Sequence, residues 1–164
     1  GAGIGRTIYE QAHLLYAIEK VSSGQYSNAL KLVDKARLWP ENLGVGEPCD
    51  PDLRMEDFLA AHCLKKLSRE DYKGYEQKVV DYTVANYAPN SLQTILGLKL
   101  LKPSDPEKSD EIITTIKNSK FANSNRGQWL LAAYNENRQD MKEYTDLLKE
   151  DHDSKIIEAL LQLK

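Results

Sequence analysis

The order of apolar and polar positions along the chain is that of a string of short helices. Apolar residues recur three and four positions apart, and alternating runs bounded by hairpin turns are absent from the sequence. Ile8, Ala12, Leu15, Ile18 and Val21 open a first helix, which Ser23-Gly24 breaks. Ala29, Leu30, Leu32, Val33 and Ala36 carry a second that stops before Pro40, and an irregular stretch follows from Pro40 to Asp50. Asp50 as N-cap, Pro51 at the first helical position and Asp52 in the first turn predict a third helix running through Met55, Phe58, Leu59, Ala61 and Leu64 to Leu67.

Ser68 and Asp71 then read as a capping box for a fourth helix, which carries Tyr72, Tyr75, Val79, Val80, Tyr82 and Val84 and ends before Pro89. Asn90 is expected to cap a fifth with Leu92, Ile95, Leu96, Leu98, Leu100 and Leu101, closed by Lys102-Pro103. Ser104 and Glu107 bracket Pro106 at the start of a sixth, built on Ile112, Ile113 and Ile116. Asn118 to Gly127 is polar and partly turn. Trp129 to Tyr134 form a seventh helix, and Met141, Tyr144, Leu147 and Leu148 an eighth. Ile156, Ile157, Leu160, Leu161 and Leu163 form a ninth, expected to cap the stack.

Short helices joined in pairs by short turns predict an all-α fold, an α-solenoid of antiparallel helix pairs with a C-terminal capping helix, as one domain over residues 1–164. Gly24-x-Tyr26-x-x-Ala29-Leu30-x-x-Val33-x-x-Ala36 resembles the second-helix half of the tetratricopeptide repeat, whose period is about 34 residues. Gly24 suits the turn between helices, and Ala29 is small where two helices cross closely. In that register Tyr16 and Ala17 take the packing positions of the preceding helix. Tyr72, Val79 and Tyr82 fit a bulkier second copy, and Leu96-Gly97 and Leu131-Ala132 fit the crossing points of a third and a fourth.

The stretch Ala36-Arg37-Leu38-Trp39-Pro40-Glu41-Asn42-Leu43-Gly44-Val45-Gly46-Glu47-Pro48, followed by Asp50-Pro51-Asp52, resembles a loop in a family of bacterial proteins. In that family a front domain similar to carbohydrate-recognising β-sandwiches of the aldose-epimerase type precedes a tetratricopeptide tail. The likeness covers about residues 9 to 68. It implies that this chain is such a tail, a piece of a longer protein, and it brings no catalytic residues. The opening Gly1-Ala2-Gly3 likewise reads as the start of a segment, with a frayed end.

Composition narrows the function classes. Hydrophobic residues make up 41% and charged residues 29%, which suits a globular chain. The net charge of -3, with both signs interspersed, disfavours nucleic acid and anionic membranes as partners. An apolar run long enough to span a membrane is absent, so a cytoplasmic location is expected. Cys49 and Cys63 are too far apart for a zinc knuckle and read as free thiols. Gly1-Ala2-Gly3-Ile4-Gly5 lacks the strand, spacing and Lys-Ser/Thr of a phosphate loop. Asp151-His152-Asp153 reads as a turn that caps a helix instead of a metal site. His13 is expected in or near the core, and Cys63 beside His62 diverges from it on a helix. Tyrosines and tryptophans are expected to fill the core, with Trp129 and Phe58 the best exceptions as ligand platforms.

No cofactor, metal or catalytic set is therefore expected, and the chain is read as non-catalytic. The inner face of the stack is the expected binding groove, formed by Leu14, Ile18, Phe58, His62 and Lys65. Its partner is expected to be another protein or the chain's own N-terminal domain. Ile18 stands where a carboxylate clamp for chaperone tails needs Asn, which disfavours that ligand. Two other readings stay open: an accessory domain that shapes the cleft of a carbohydrate-active enzyme, and a structural dimerisation arm. The Pro40–Asp50 loop is expected to pack against the repeats and the front domain, because Trp39, Leu43 and Val45 are apolar.

Overall fold

The computed structural model describes residues 2–39, 50–85 and 91–164, with side chains from Thr7 onward. Among these residues every regular element is helical: α1 Ala2–Ser22, α2 Tyr26–Ala36, α3 Arg54–Lys66, α4 Tyr72–Ala85, α5 Thr94–Leu101, α6 Pro106–Lys117, α7 Asn125–Tyr134, α8 Arg138–Leu147 and α9 Asp153–Leu161. A short 3-10 helix, Lys120–Asn123, precedes α7. None of the described helices is long and apolar enough to cross a membrane.

Local chemistry explains several of the ends. Three helices close on a residue in the left-handed region: Gly24 after α1 at φ 75°, Ser68 after α3 at 58° and Glu136 after α7 at 56°. In each case the next amide reaches back five residues to a carbonyl of the last turn: Gln25 to Lys20, Arg69 to Leu64 and Asn137 to Ala132, all at 2.9 Å. Ser68 therefore ends α3 instead of opening α4 as a capping box. Side-chain caps start α6, α7 and α8, where Asp105, Ser124 and Asn137 accept from the amides of Lys108, Gly127 and Asp140. The α6 cap is thus Asp105, one residue beyond the expected Ser104.

The third helix begins later than Asp50 and Pro51 suggest. Asp52 accepts from the Arg54 amide at 3.1 Å and also holds the Arg54 guanidinium, so residues 51–53 stay outside the helix. At the front of the chain, helix extends from Ala2, in place of the expected frayed end. Asn90, most of the Pro40–Asp50 loop and Cys49 lie outside the described residues.

Consecutive helices pack on one another from α1 through α8, and alternate helices also meet: α1 with α3, α3 with α5, and α5 with α7. One continuous core results. Leu14, Ala17 and Val21 of α1 face Ala29, Val33 and Ala36 of α2, and α3 contributes Met55, Phe58 and Leu59. α3 is the hub. It touches α1, α2, α4, α5 and α9, and every residue from Arg54 to Ala61 is buried. The ninth helix departs from the expected end-cap: it returns to pack on α1 and α3.

Candidate interaction surface

The α9 sequence is amphipathic, with Ile156, Ile157 and Leu160 on one face, and all three are buried. Burial of three such side chains stabilises by roughly 5–9 kcal/mol before the ordering of the segment is counted. Polar contacts fix where the helix lies. Asp153, at its first position, accepts from Gln11 Nε2 of α1 at 2.9 Å and from Gln93 Nε2, just ahead of α5, at 3.2 Å. At the other end Lys99 Nζ of α5 donates to the Leu161 carbonyl at 2.6 Å, where a helix terminus welcomes a cation. Burial pushes the Asp153 carboxyl up and the Lys99 ammonium down, each toward its neutral form. Arg126 pairs with Asp151 at 2.8 Å in the turn leading into α9. Trp129 Nε1 donates to Thr145 Oγ1 at 2.8 Å, and that hydroxyl reaches Glu158 of α9 at 3.2 Å.

Three of the five residues expected to form a groove come together. Phe58, His62 and Lys65 line a small cleft of about 150 Å³, and Leu160 and Leu163 form its opposite wall. The surface they mark is therefore the one α9 covers. Phe58 is buried there. His62 is half-buried, with its ring edge-on to Tyr26 at 6.4 Å, and among the described residues its Nε2 has no hydrogen-bond partner. Burial foremost, then Lys66, Lys99 and Lys65, hold its pKa down. Lys65 is exposed and lies over the Tyr72 ring at 5.4 Å. The other two residues sit apart: Leu14 is fully buried in the core, and Ile18 packs half-buried against it.

Of the two α1 residues expected at packing positions, Ala17 is buried and Tyr16 turns out. Ile8 is 60% exposed, Leu15 52% and Tyr16 48%, while Leu14, Ala17 and Val21 face the core. Trp129, a suggested ligand platform, is fully buried with its N–H committed, so it belongs to the core. His13 is half-buried and reaches the Tyr9 carbonyl at 2.8 Å.

Two buried charged sites carried no obvious sequence signal. Arg54 donates to Asp52, Thr83, Thr94 and Ser91, and its guanidinium stacks 4.7 Å from the Tyr82 ring. It thereby ties the entry of α3 to α4 and to the lead-in of α5. The Asp52-x-Arg54 spacing was the available clue. Glu56 is fully buried, and among the described residues no donor reaches either carboxylate oxygen. Its hydrogen-bonding neighbour is the Glu10 side chain, an acceptor like itself unless one of the two carboxyls keeps a proton. Burial first, then Glu10, holds the Glu56 pKa well above the usual carboxylate range, against the opposing pull of Arg37.

Among the described residues, no group of three or more His, Cys, Asp or Glu is placed to hold a metal ion. Cys63 is a buried free thiol whose pKa burial pushes up to about 11, which leaves little thiolate. Comparison of the chain with protein-family models, with curated proteins and with solved structures gives no match.

Proposed function

We propose that this chain is a helical-repeat interaction module, a tetratricopeptide-like stack of helix pairs that receives an amphipathic helix on its inner face and does no chemistry of its own. The observation that carries the reading is α9. An apolar face, an acidic residue clamped at its start and a Lys at its C-terminal carbonyl are how a groove holds a partner helix. Contacts between alternate helices support the stack, because each repeat of a solenoid rests on the next. A left-handed turn joins each of the pairs α1–α2, α3–α4 and α7–α8, which supports the pairing of helices. In the parent protein, the exposed Ile8, Leu15 and Tyr16 stripe suits an interdomain contact with the front domain that the sequence resemblance implies.

The test uses a synthetic peptide of residues 150–164 carrying Asp153→Asn, whose amide can donate to introduced carboxylates, added to the full chain. Gln11→Glu with Gln93→Glu places carboxylates against Asp153 and loosens the chain's own α9 without opening the core. The peptide is expected to bind this variant at least about tenfold more tightly than the native chain, where the tethered helix competes at high effective concentration. Absence of that gain in a variant with native helix content would overturn the reading.

A further inference from the structure

A second cleft lies open where α9 ends. It has a volume of about 560 Å³ and is walled by the C-terminal parts of α5, α7 and α9 and the start of α8. Its floor is apolar, with Ile95, Leu98, Ala133 and Met141. Its rim carries the cations Lys99, Lys102 and Arg138 against the single carboxylate of Glu136. This local excess of positive charge sits on a chain whose net charge is -3.

Lys99 is already spent on the Leu161 carbonyl. Lys102 lies over the Tyr134 ring at 4.6 Å, and the Tyr134 phenol donates to Asp110 at 2.8 Å. Among the described residues neither Lys102 nor Arg138 forms an ion pair, so both charges are available at the mouth.

We propose that this cleft docks an acidic peptide segment of a protein partner, with an aliphatic side chain seated on the Leu98–Met141 floor and carboxylates paired to Lys102 and Arg138. The inference rests on reading the chain as an interaction module and names a second site of that module, one that α9 leaves open. Charge complementarity selects the acidic partner: cations on a rim around an apolar floor reward a ligand with both features and repel a basic one. The open side selects a peptide over a small organic anion, because small-ligand sites enclose most of their ligand.

The experiment titrates the full chain with a dodecapeptide of interspersed leucine and glutamate, by calorimetry and by methyl NMR. Two control peptides carry glutamine or lysine in place of glutamate. Saturable binding of the acidic peptide is expected, with shifts at the Ala133 and Met141 methyls. The glutamine peptide should bind at least about tenfold more weakly, as should the acidic peptide to Lys102→Glu with Arg138→Glu. Both substituted side chains lie on the surface, so helix content by circular dichroism should hold. Equal binding of the acidic and glutamine peptides would overturn the proposal. So would shifts confined to other methyls, or a response to octanoate with none to any peptide. Because α9 stays docked throughout, failure here leaves the α9 exchange experiment untouched.

Discussion

Replacing Gly97 by Ala probes a close helix crossing. Gly97 sits in α5 against Thr83 of α4, and a Cβ built on it would lie 2.7 Å from Thr83 Cγ2, with Oγ1 and Cβ closer still. Thr83 is β-branched and its Cβ is fixed to the backbone, so no rotamer change clears the space. The helices must separate, which costs about 1–3 kcal/mol as overpacking. Separation also strains the bond from Arg54 Nη1 to Thr83 Oγ1, 3.1 Å long and buried, at a further cost of about 1–3 kcal/mol if it breaks. Helix propensity opposes both by about 1 kcal/mol. With that bond broken, the net expectation is destabilisation of about 1–5 kcal/mol, read as a lower urea midpoint. Gly74→Ala is the control, because a Cβ there meets nothing within 4 Å. In that variant propensity acts alone, and stability should rise by about 0.5–1 kcal/mol. If Gly97→Ala rises as Gly74→Ala does, the α4–α5 crossing is not as close as described.

Three further substitutions test separate parts of the account. Glu56→Gln should raise stability at neutral pH and flatten its pH dependence in urea melts. With a folded pKa above the unfolded value, Glu56 contributes most below the normal carboxylate range, and that contribution is lost as pH rises through its folded pKa; a variant that keeps the native slope would refute the buried acid. Ala29→Leu should destabilise by about 1–3 kcal/mol, since Ala29 is fully buried where α2 meets α1; an unchanged midpoint would place it elsewhere. Arg54→Met should cost about 3–5 kcal/mol by leaving Asp52, Thr83 and Ser91 without their donor; a cost under 1 kcal/mol would show that the network is dispensable.

Helix content was legible in sequence because spacing and turn chemistry are local. Pro106 at the start of α6 and Gly24 after α1 need no tertiary partner to act. The all-helical class follows from the same signals. What was misread depended on distant contacts. Helix α1 carries two apolar stripes, Ile8-Ala12-Leu15 and Leu14-Ala17-Val21, and only packing against α2 and α3 selects the second as core. Ser68 resembles an N-cap in sequence, yet it takes the left-handed turn that glycine usually supplies, because the α3–α4 connection demands it. Phe58, His62 and Lys65 line one cleft because positions 58, 62 and 65 share a helix face at any register. That α9 lies over them could not be read locally. It depends on Gln11 meeting Asp153 across 142 positions.

The placement of α9 on that face is the claim on which the rest stands, and paramagnetic broadening tests it directly. A nitroxide is attached to Lys65→Cys in a chain with Cys49→Ser. Cys63, buried with its pKa near 11, stays unlabelled. Lys65, Leu160 and Leu163 line one cleft, so the amide signals of Leu160 and Leu163 should broaden strongly. Sharp Leu160 and Leu163 signals in the folded, labelled protein would contradict the account, because α9 would then lie elsewhere.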